Sequence, residues 1–282
     1  YNNEFGNPRY PDSKGMSDYI MYARHTNTTS WMFNTYLNHR LNDHQTLQAG
    51  LSFTYSDSHY YQTVYDLLGG EYWLDVETFY ERDFSINDPR LQNDLNNPNR
   101  RVKKGDIMKE NYNIYNYTAN AWIQHQINTR HWDVNYGLSV TYTNFYRKGH
   151  MLNGRALENS YGTGTRHTFD DAAIKAGATY KLNGRNYFVA HGSYGTMAPT
   201  YWDSYINAAV KDEAAPGLTS TRFLSGDISY VWNYPRFRGS ITGYWTGTYD
   251  GFERKFFYDD ASGTNSVLLL AGVDRRYMGV EF

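Results

Sequence analysis

The sequence predicts an all-β protein, an antiparallel membrane-spanning β-barrel of which this chain supplies about nine strands. Three observations carry that reading. Apolar and polar residues alternate with period two along repeated segments. Very short polar turns alternate with long loops. The 29 Tyr, 14 Phe and 7 Trp make 18% of the 282 residues aromatic. With Tyr set aside and Gly counted, roughly 38% of the chain is apolar, below the roughly 45–50% of an ordinary globular domain. A dry core built from that supply would be thin.

Other classes fall away on composition. A mean hydropathy of −0.75 and a longest aliphatic stretch of only Val267-Leu268-Leu269-Leu270-Ala271 exclude a bundle of spanning helices. That polarity leaves a barrel open, because a spanning strand turns only every second residue toward lipid. A net charge of −2 does not suit a nucleic-acid binder, and the absence of Cys excludes disulfide scaffolds and thiolate metal sites. The chain opens Tyr1-Asn2-Asn3 without Met or a signal-peptide pattern, which predicts a processed or excised piece.

The strands are read in order. Trp31, Phe33, Thr35, Leu37 and Leu41 share one face, and after the turn Asn42-Asp43-His44 the alternation returns through Leu47, Ala49, Leu51, Phe53 and Tyr55. The second hairpin sets Tyr115, Tyr117, Ala119, Ala121, Ile123 and Ile127 on one face, with Trp122 and His125 as exceptions. Asn128-Thr129-Arg130 turns it into a long strand carrying Trp132, Val134, Tyr136, Leu138, Val140, Tyr142 and Tyr146. Ala172 to Leu182 reaches Asn183-Gly184, a strong two-residue hairpin signal, and returns through Tyr187 and Val189 to Tyr194. Phe223 to Trp232, Phe237 to about Tyr249, and about Ser266 to Phe282 complete the count, the last with a bulge expected near Gly272.

The turns at Asn42, Asn128, Asn183 and Asn233 are short, whereas the other connections, about 56–110, 147–168, 197–220 and 250–265, are long. Short turns at one end and long loops at the other match the periplasmic and extracellular ends of an outer-membrane barrel. Trp31, Tyr55, Tyr115, Trp132, Tyr142, Tyr146, Tyr187, Trp232 and Tyr249 then fit the headgroup-level girdles. About nine strands is an odd number with two open edges, so the chain is expected to be part of a larger barrel.

The segment from Tyr65-Asp66-Leu67-Leu68-Gly69-Gly70-Glu71-Tyr72-Trp73 to Arg82-Asp83-Phe84 makes a family resemblance specific. With it go Asn93-Asp94-Leu95-Asn96-Asn97-Pro98-Asn99, Lys104-Gly105-Asp106, Asn159-Ser160-Tyr161-Gly162, Tyr180-Lys181-Leu182-Asn183-Gly184-Arg185, Ala198-Pro199, Asp227-Ile228-Ser229-Tyr230 and Gly279-Val280-Glu281. Together they resemble the barrel domain of TonB-dependent outer-membrane receptors of Gram-negative bacteria. The resemblance implies about nine strands of an approximately 22-strand barrel closed by a plug. It also implies import of a scarce nutrient such as a glycan or siderophore, driven through the TonB system. Implied partners are outer-membrane lipid, the plug domain, TonB and a surface lipoprotein; no plug domain lies in these 282 residues.

Candidate ligand-binding residues are the exposed-loop pairs Tyr72-Trp73 and Tyr201-Trp202, whose rings suit stacking on sugars or other flat ligands, and the basic Arg100-Arg101. Packing within the loops is the alternative role for the aromatics. Asp83, Asp88 and Asp94 lack EF-hand spacing, and no metal or cofactor is expected. No nucleophile, phosphate-loop or zinc signature occurs; Asp57 and His59 are the one acid/base pair worth testing. An outer-membrane barrel enzyme of protease or lipase type, or a soluble β-rich glycan-binding module, stays open as an alternative.

Overall fold

The computed structural model describes residues 9–10, 12–259 and 264–282. In chain order the strands are β1 (Met21–Asn42), β2 (Gln45–Asp66), β3 (Trp73–Leu74), β4 (Arg101–Val102), β5 (Ile107–Asn128), β6 (Trp132–Gly149), β7 (Gly162–Thr163), β8 (His167–Asn183), β9 (Asn186–Met197), β10 (Thr221–Tyr234), β11 (Phe237–Asp259) and β12 (Thr264–Glu281). Nine of them form one antiparallel meander, β1-β2-β5-β6-β8-β9-β10-β11-β12, with β7 beside β6; β3 and β4 pair separately. Among the described residues β1 and β12 are paired along one side only.

Register explains why alternation in the sequence becomes two surfaces. One row across the sheet runs Leu37, Ala49, Ile123, Leu138, Ile174, Tyr194, Leu224. The adjacent row, on the opposite face, runs Asn38, Gln48, Gln124, Gly137, Lys175, Ser193, Ser225, Thr246. All the large members of the first row are exposed. An apolar row of that length has a suitable solvent only in lipid, while the other face suits water.

Aromatics bound the apolar band. Trp31, Tyr55 and Tyr117 lie in register toward the loop end, with Tyr115 against Tyr146 beside them. Trp132, Tyr180, Phe188, Tyr230 and Trp232 lie toward the short turns. From Trp132 to Tyr142 a strand rises about 33 Å, which at a tilt of about 40° gives roughly 25 Å of height, the usual apolar band of such barrels. Tyr187 departs from the expected girdle: it pairs with Val231 on the other face and donates its hydroxyl to Gly184 O at 3.0 Å. Trp122 also faces inward, across Gly50, where any Cβ would come within 2.5 Å of the indole nitrogen.

The short turns are closed by side chains. Asn42 Oδ1 accepts from His44 N at 2.9 Å, and Thr129 Oγ1 accepts from Trp132 N at 3.0 Å. At Asn183-Gly184 the work falls to the asparagine, whose Oδ1 accepts from Arg185 N and Asn186 N, while Gly184 keeps an ordinary φ. The bulge stands at Gly272, which is left unpaired between Ala271 and Val273 with φ +73°. The expected loop from about 56 starts later: β2 continues to Asp66, and β11 likewise runs on to Asp259. Above the apolar band polar and aromatic residues occur on both faces, so the alternation that marks a strand fades while backbone pairing continues.

Candidate functional site

Three buried clusters organise the loop end. Between β2 and β5 the chain folds into a small unit with Tyr72, Leu74, Val76 and Leu91 packed against Tyr10 and Met16. Trp73 joins Val64, Val102 and Met108 in a second cluster. Tyr72 and Trp73 are thus buried within the loop, at 6% and 9% exposure. Arg101 covers the Tyr72 ring, its guanidinium carbon 4.6 Å from the centroid.

Arg100 is drawn into the same unit. Its Nη2 donates to Asp75 Oδ2 at 2.6 Å and to Ile107 O at 2.5 Å. The Asp75 side chain is 1% exposed and also accepts from Asn93 Nδ2 and Lys109 N, both at 3.0 Å. The arginine therefore compensates a buried carboxylate, and the structure ties it to the loop framework.

The third cluster lies on the polar face of the sheet, where the connection 198–218 folds back over the wall. Tyr60, Tyr112, Ile114, Phe145, Phe169 and Tyr205 form it. The short helix α1 (Tyr201–Ser204) is capped by Thr200, whose side chain accepts from Asp203 N, and it presents Tyr201 and Trp202 to that cluster. Two arginines pin the loop. Arg147 donates to Ala208 O at 2.6 Å and to Ser160 O at 2.8 Å; Arg254 donates to Tyr205 O at 2.5 Å and also to Trp202 O. Burial pushes the Tyr205 phenol well above the usual range, and the nearby Asp212 charge adds to it, so it stays neutral.

Between this loop and the wall lies a hollow of about 590 Å³. Tyr60 and Tyr112 stack along one side at 5.1 Å between centroids, and Trp202 meets Tyr60 edge-on at 5.9 Å. The Tyr60 and Tyr201 hydroxyls share a hydrogen bond of 3.1 Å. Arg24, Lys211 and Arg254 line the hollow with the single carboxylate Glu110. Trp202 remains 55% exposed. The structure brings Tyr201 and Trp202 together with Tyr60, expected in the long connection of about 56–110, and with Tyr112 just beyond it, both more than 80 residues away. No local pattern announces such a meeting.

Asp57 and His59 do not form a pair. Asp57 accepts from Asn113 Nδ2 at 2.5 Å, while His59 donates to Asn111 Oδ1 at 2.7 Å. His150 donates to Asn113 Oδ1 at 2.8 Å. Asp88 is held by Arg90 to about 2, and Asp94 accepts from the backbone of Asn96 and Leu152 and from the Asn97 amide. Among the described residues no group of three or more His, Cys, Asp or Glu side chains is placed to hold a metal.

No protein-family model and no curated protein sequence matches the chain. Solved structures do. The copper transporter OprC superposes over 92% of the chain with a TM-score of 0.64 at 12% identity. The unliganded ferric citrate transporter FecA covers 92% with a TM-score of 0.57 at 6% identity. The chain spans about a third of each, 35% and 32% of their lengths. The likeness of both to this arc of sheet assigns the fold alone: part of an antiparallel transmembrane β-barrel of the kind these two structures contain.

Proposed function

We propose that the chain forms part of the wall and outer loops of a TonB-dependent nutrient receptor in the outer membrane of a Gram-negative bacterium. We place its ligand contacts at the hollow under the 198–218 loop. The observation that carries this is the combination of an exposed Trp202, the stacked Tyr60–Tyr112 pair and a cationic lining in a space of about 590 Å³, where Arg24 faces Glu110, Lys211 pairs with Glu213 and Arg254 has no carboxylate beside it in the lining. Aromatic faces favour rings and the cations favour negative charge, so a ring-bearing anion, an acidic oligosaccharide or an anionic ferric chelate, fits the chemistry. Arg100, Arg101, Tyr72 and Trp73 then act indirectly, by holding the neighbouring loop in shape. Plug, TonB and a surface lipoprotein complete the machine in this reading, and the apolar face meets lipid.

The test uses the full-length receptor in cells and in detergent, with a panel of uronate-containing oligosaccharides and ferric chelates. Uptake should require TonB. For any compound imported, Trp202→Ala should weaken binding about 2–12-fold, the equivalent of one aromatic contact of about 0.5–1.5 kcal/mol. Unchanged affinity and uptake in that variant would overturn the placement of the site. TonB-independent uptake would overturn the receptor class.

A further inference from the structure

A second, smaller cavity of about 300 Å³ lies on the same polar face, on the other side of Tyr201 from the aromatic hollow. Its wall is strand backbone and side chains of Asn116, Thr141, Thr143 and Asp171, and its roof is the segment Met197 to Tyr201 at the start of the pinned loop. Asp171 is 6% exposed, yet neither carboxylate oxygen has a hydrogen-bond partner among the protein groups. That is unusual for a buried polar group, because an ionised carboxylate away from water needs a counter-charge or donors. It stands out against Asp75, which has an arginine and two N–H donors around it.

No donor among the described protein groups reaches either oxygen of Asp171. Thr141, its cross-strand partner, accepts the Asn120 amide at 2.7 Å. Thr200 donates its hydroxyl to Asp203 at 2.8 Å. The wall offers oxygen, one carboxylate, the hydroxyls of Thr141 and Thr143 and the side-chain carbonyl of Asn116, beside the apolar Phe145, Ala198 and Pro199. Thiolate and imidazole are missing from the lining, and its one sulfur is the neutral thioether of Met197 in the roof, so the charged and polar groups favour a hard cation.

We propose that Asp171 and these neutral oxygens bind one hard, oxygen-preferring cation, Ca²⁺ or Na⁺, between the wall and the root of the 198–218 loop. The ion supplies the charge that Asp171 lacks and ties β8 to the segment that carries Tyr201. With one full negative charge and neutral oxygens, the site is of the weak kind that works at extracellular salt concentrations. The proposal stands independently of which nutrient occupies the aromatic hollow.

The probe is Tb³⁺, which takes oxygen ligands and emits when a nearby tyrosine is excited; Tyr201 lines the cavity. Full-length receptor in detergent should give saturable sensitised emission. Asp171→Asn, which keeps the side-chain shape, should lower the apparent affinity at least ten-fold. Asp170→Asn, at the exposed neighbouring position whose side chain points to the other face, should leave it unchanged. Heat-modifiable mobility on gels checks that both variants keep the barrel. Displacement of Tb³⁺ by Ca²⁺ assigns a divalent site and displacement by Na⁺ alone a monovalent one. Absence of emission in the parent protein, displacement by neither ion, or an Asp171→Asn titration that overlays the parent overturns the site.

Discussion

Replacing Arg100 by alanine should loosen the loop between β2 and β5 without disturbing the barrel. The substitution removes the cation paired with Asp75, whose side chain is 1% exposed. Breaking a buried ion pair on one side costs about 3–5 kcal/mol. Here Asp75 keeps its bonds from Asn93 and Lys109, and the Arg100 side chain is 31% exposed, so water screens part of the effect. About 2 kcal/mol remains, equivalent to roughly a 30-fold rise in local opening. Hydrogen exchange at the amides of β3 and β4 reads this directly, with the long strands as the internal reference. Arg101→Ala is the matched control: it removes a guanidinium that lies on the Tyr72 ring, about 0.5–1 kcal/mol at an exposed position, together with an exposed hydrogen bond to Asp12 O at 3.2 Å, and no buried carboxylate loses its partner. If the two variants exchange alike, or if Arg100→Ala leaves β3 and β4 fully protected, then Arg100 does not hold this unit together and its assignment to the loop framework fails.

The two faces of the sheet should respond oppositely to charge. Leu138→Arg, on the exposed apolar row, should cost about 2–4 kcal/mol in urea titrations of protein refolded into liposomes, whereas Ser139→Arg next to it should cost far less. Equal losses would refute the lipid-facing assignment. His150 sits in the loop after β6, and burial, with His59 and Lys148 nearby, holds its pKa below the usual value. A depressed histidine favours the neutral form in the folded loop, so its contribution is intact above about pH 6.5 and declines as the pH falls below that. Exchange of the 150–153 amides should rise between pH 7.5 and 5.5 beyond the intrinsic rate change, and His150→Gln should flatten that excess. Gly154→Ala should detach the turn after β6 from the neighbouring loop, because the new Cβ would stand 1.8 Å from the Pro89 carbonyl oxygen. About 1–3 kcal/mol of loop stability should go, seen as faster tryptic cleavage at Arg90 and Arg155.

Much of the wall is legible along the chain because its determinants are local. Leu47 to Tyr55 alternates because each residue answers only to the face it occupies, and Asn42, Thr129 and Asn183 close their turns within three residues. Strand ends are harder to read where lipid stops dictating composition. Between Ser56 and Thr63 both faces of β2 are polar or aromatic, and pairing with β1 and β5 keeps the segment extended. The hollow is less legible still. Tyr60, Tyr112 and Trp202 meet through tertiary folding, and the arginines that pin the roof, Arg147 and Arg254, carry no sequence pattern that distinguishes them from ordinary surface cations. The burial of Tyr72 and Trp73 had a faint local signal in the neighbouring Leu74, Val76 and Leu91, which supply a small core.

The sides of β1 and β12 that have no partner strand among the described residues bear on how such a wall reaches its membrane. A 22-residue strand offers about half of its peptide groups to each neighbour, and each one left bare in hydrocarbon costs several kcal/mol. Tens of kcal/mol therefore oppose any pathway in which this arc enters lipid first and finds its neighbours later. Assembly has to proceed as strand addition onto an already paired edge, with every new strand shielded from hydrocarbon until its partner is in place. The rate of biogenesis should then depend on how readily each edge is captured, and a proline placed on the outward-donating side of β1 should stall insertion while leaving the hairpin with β2 able to form.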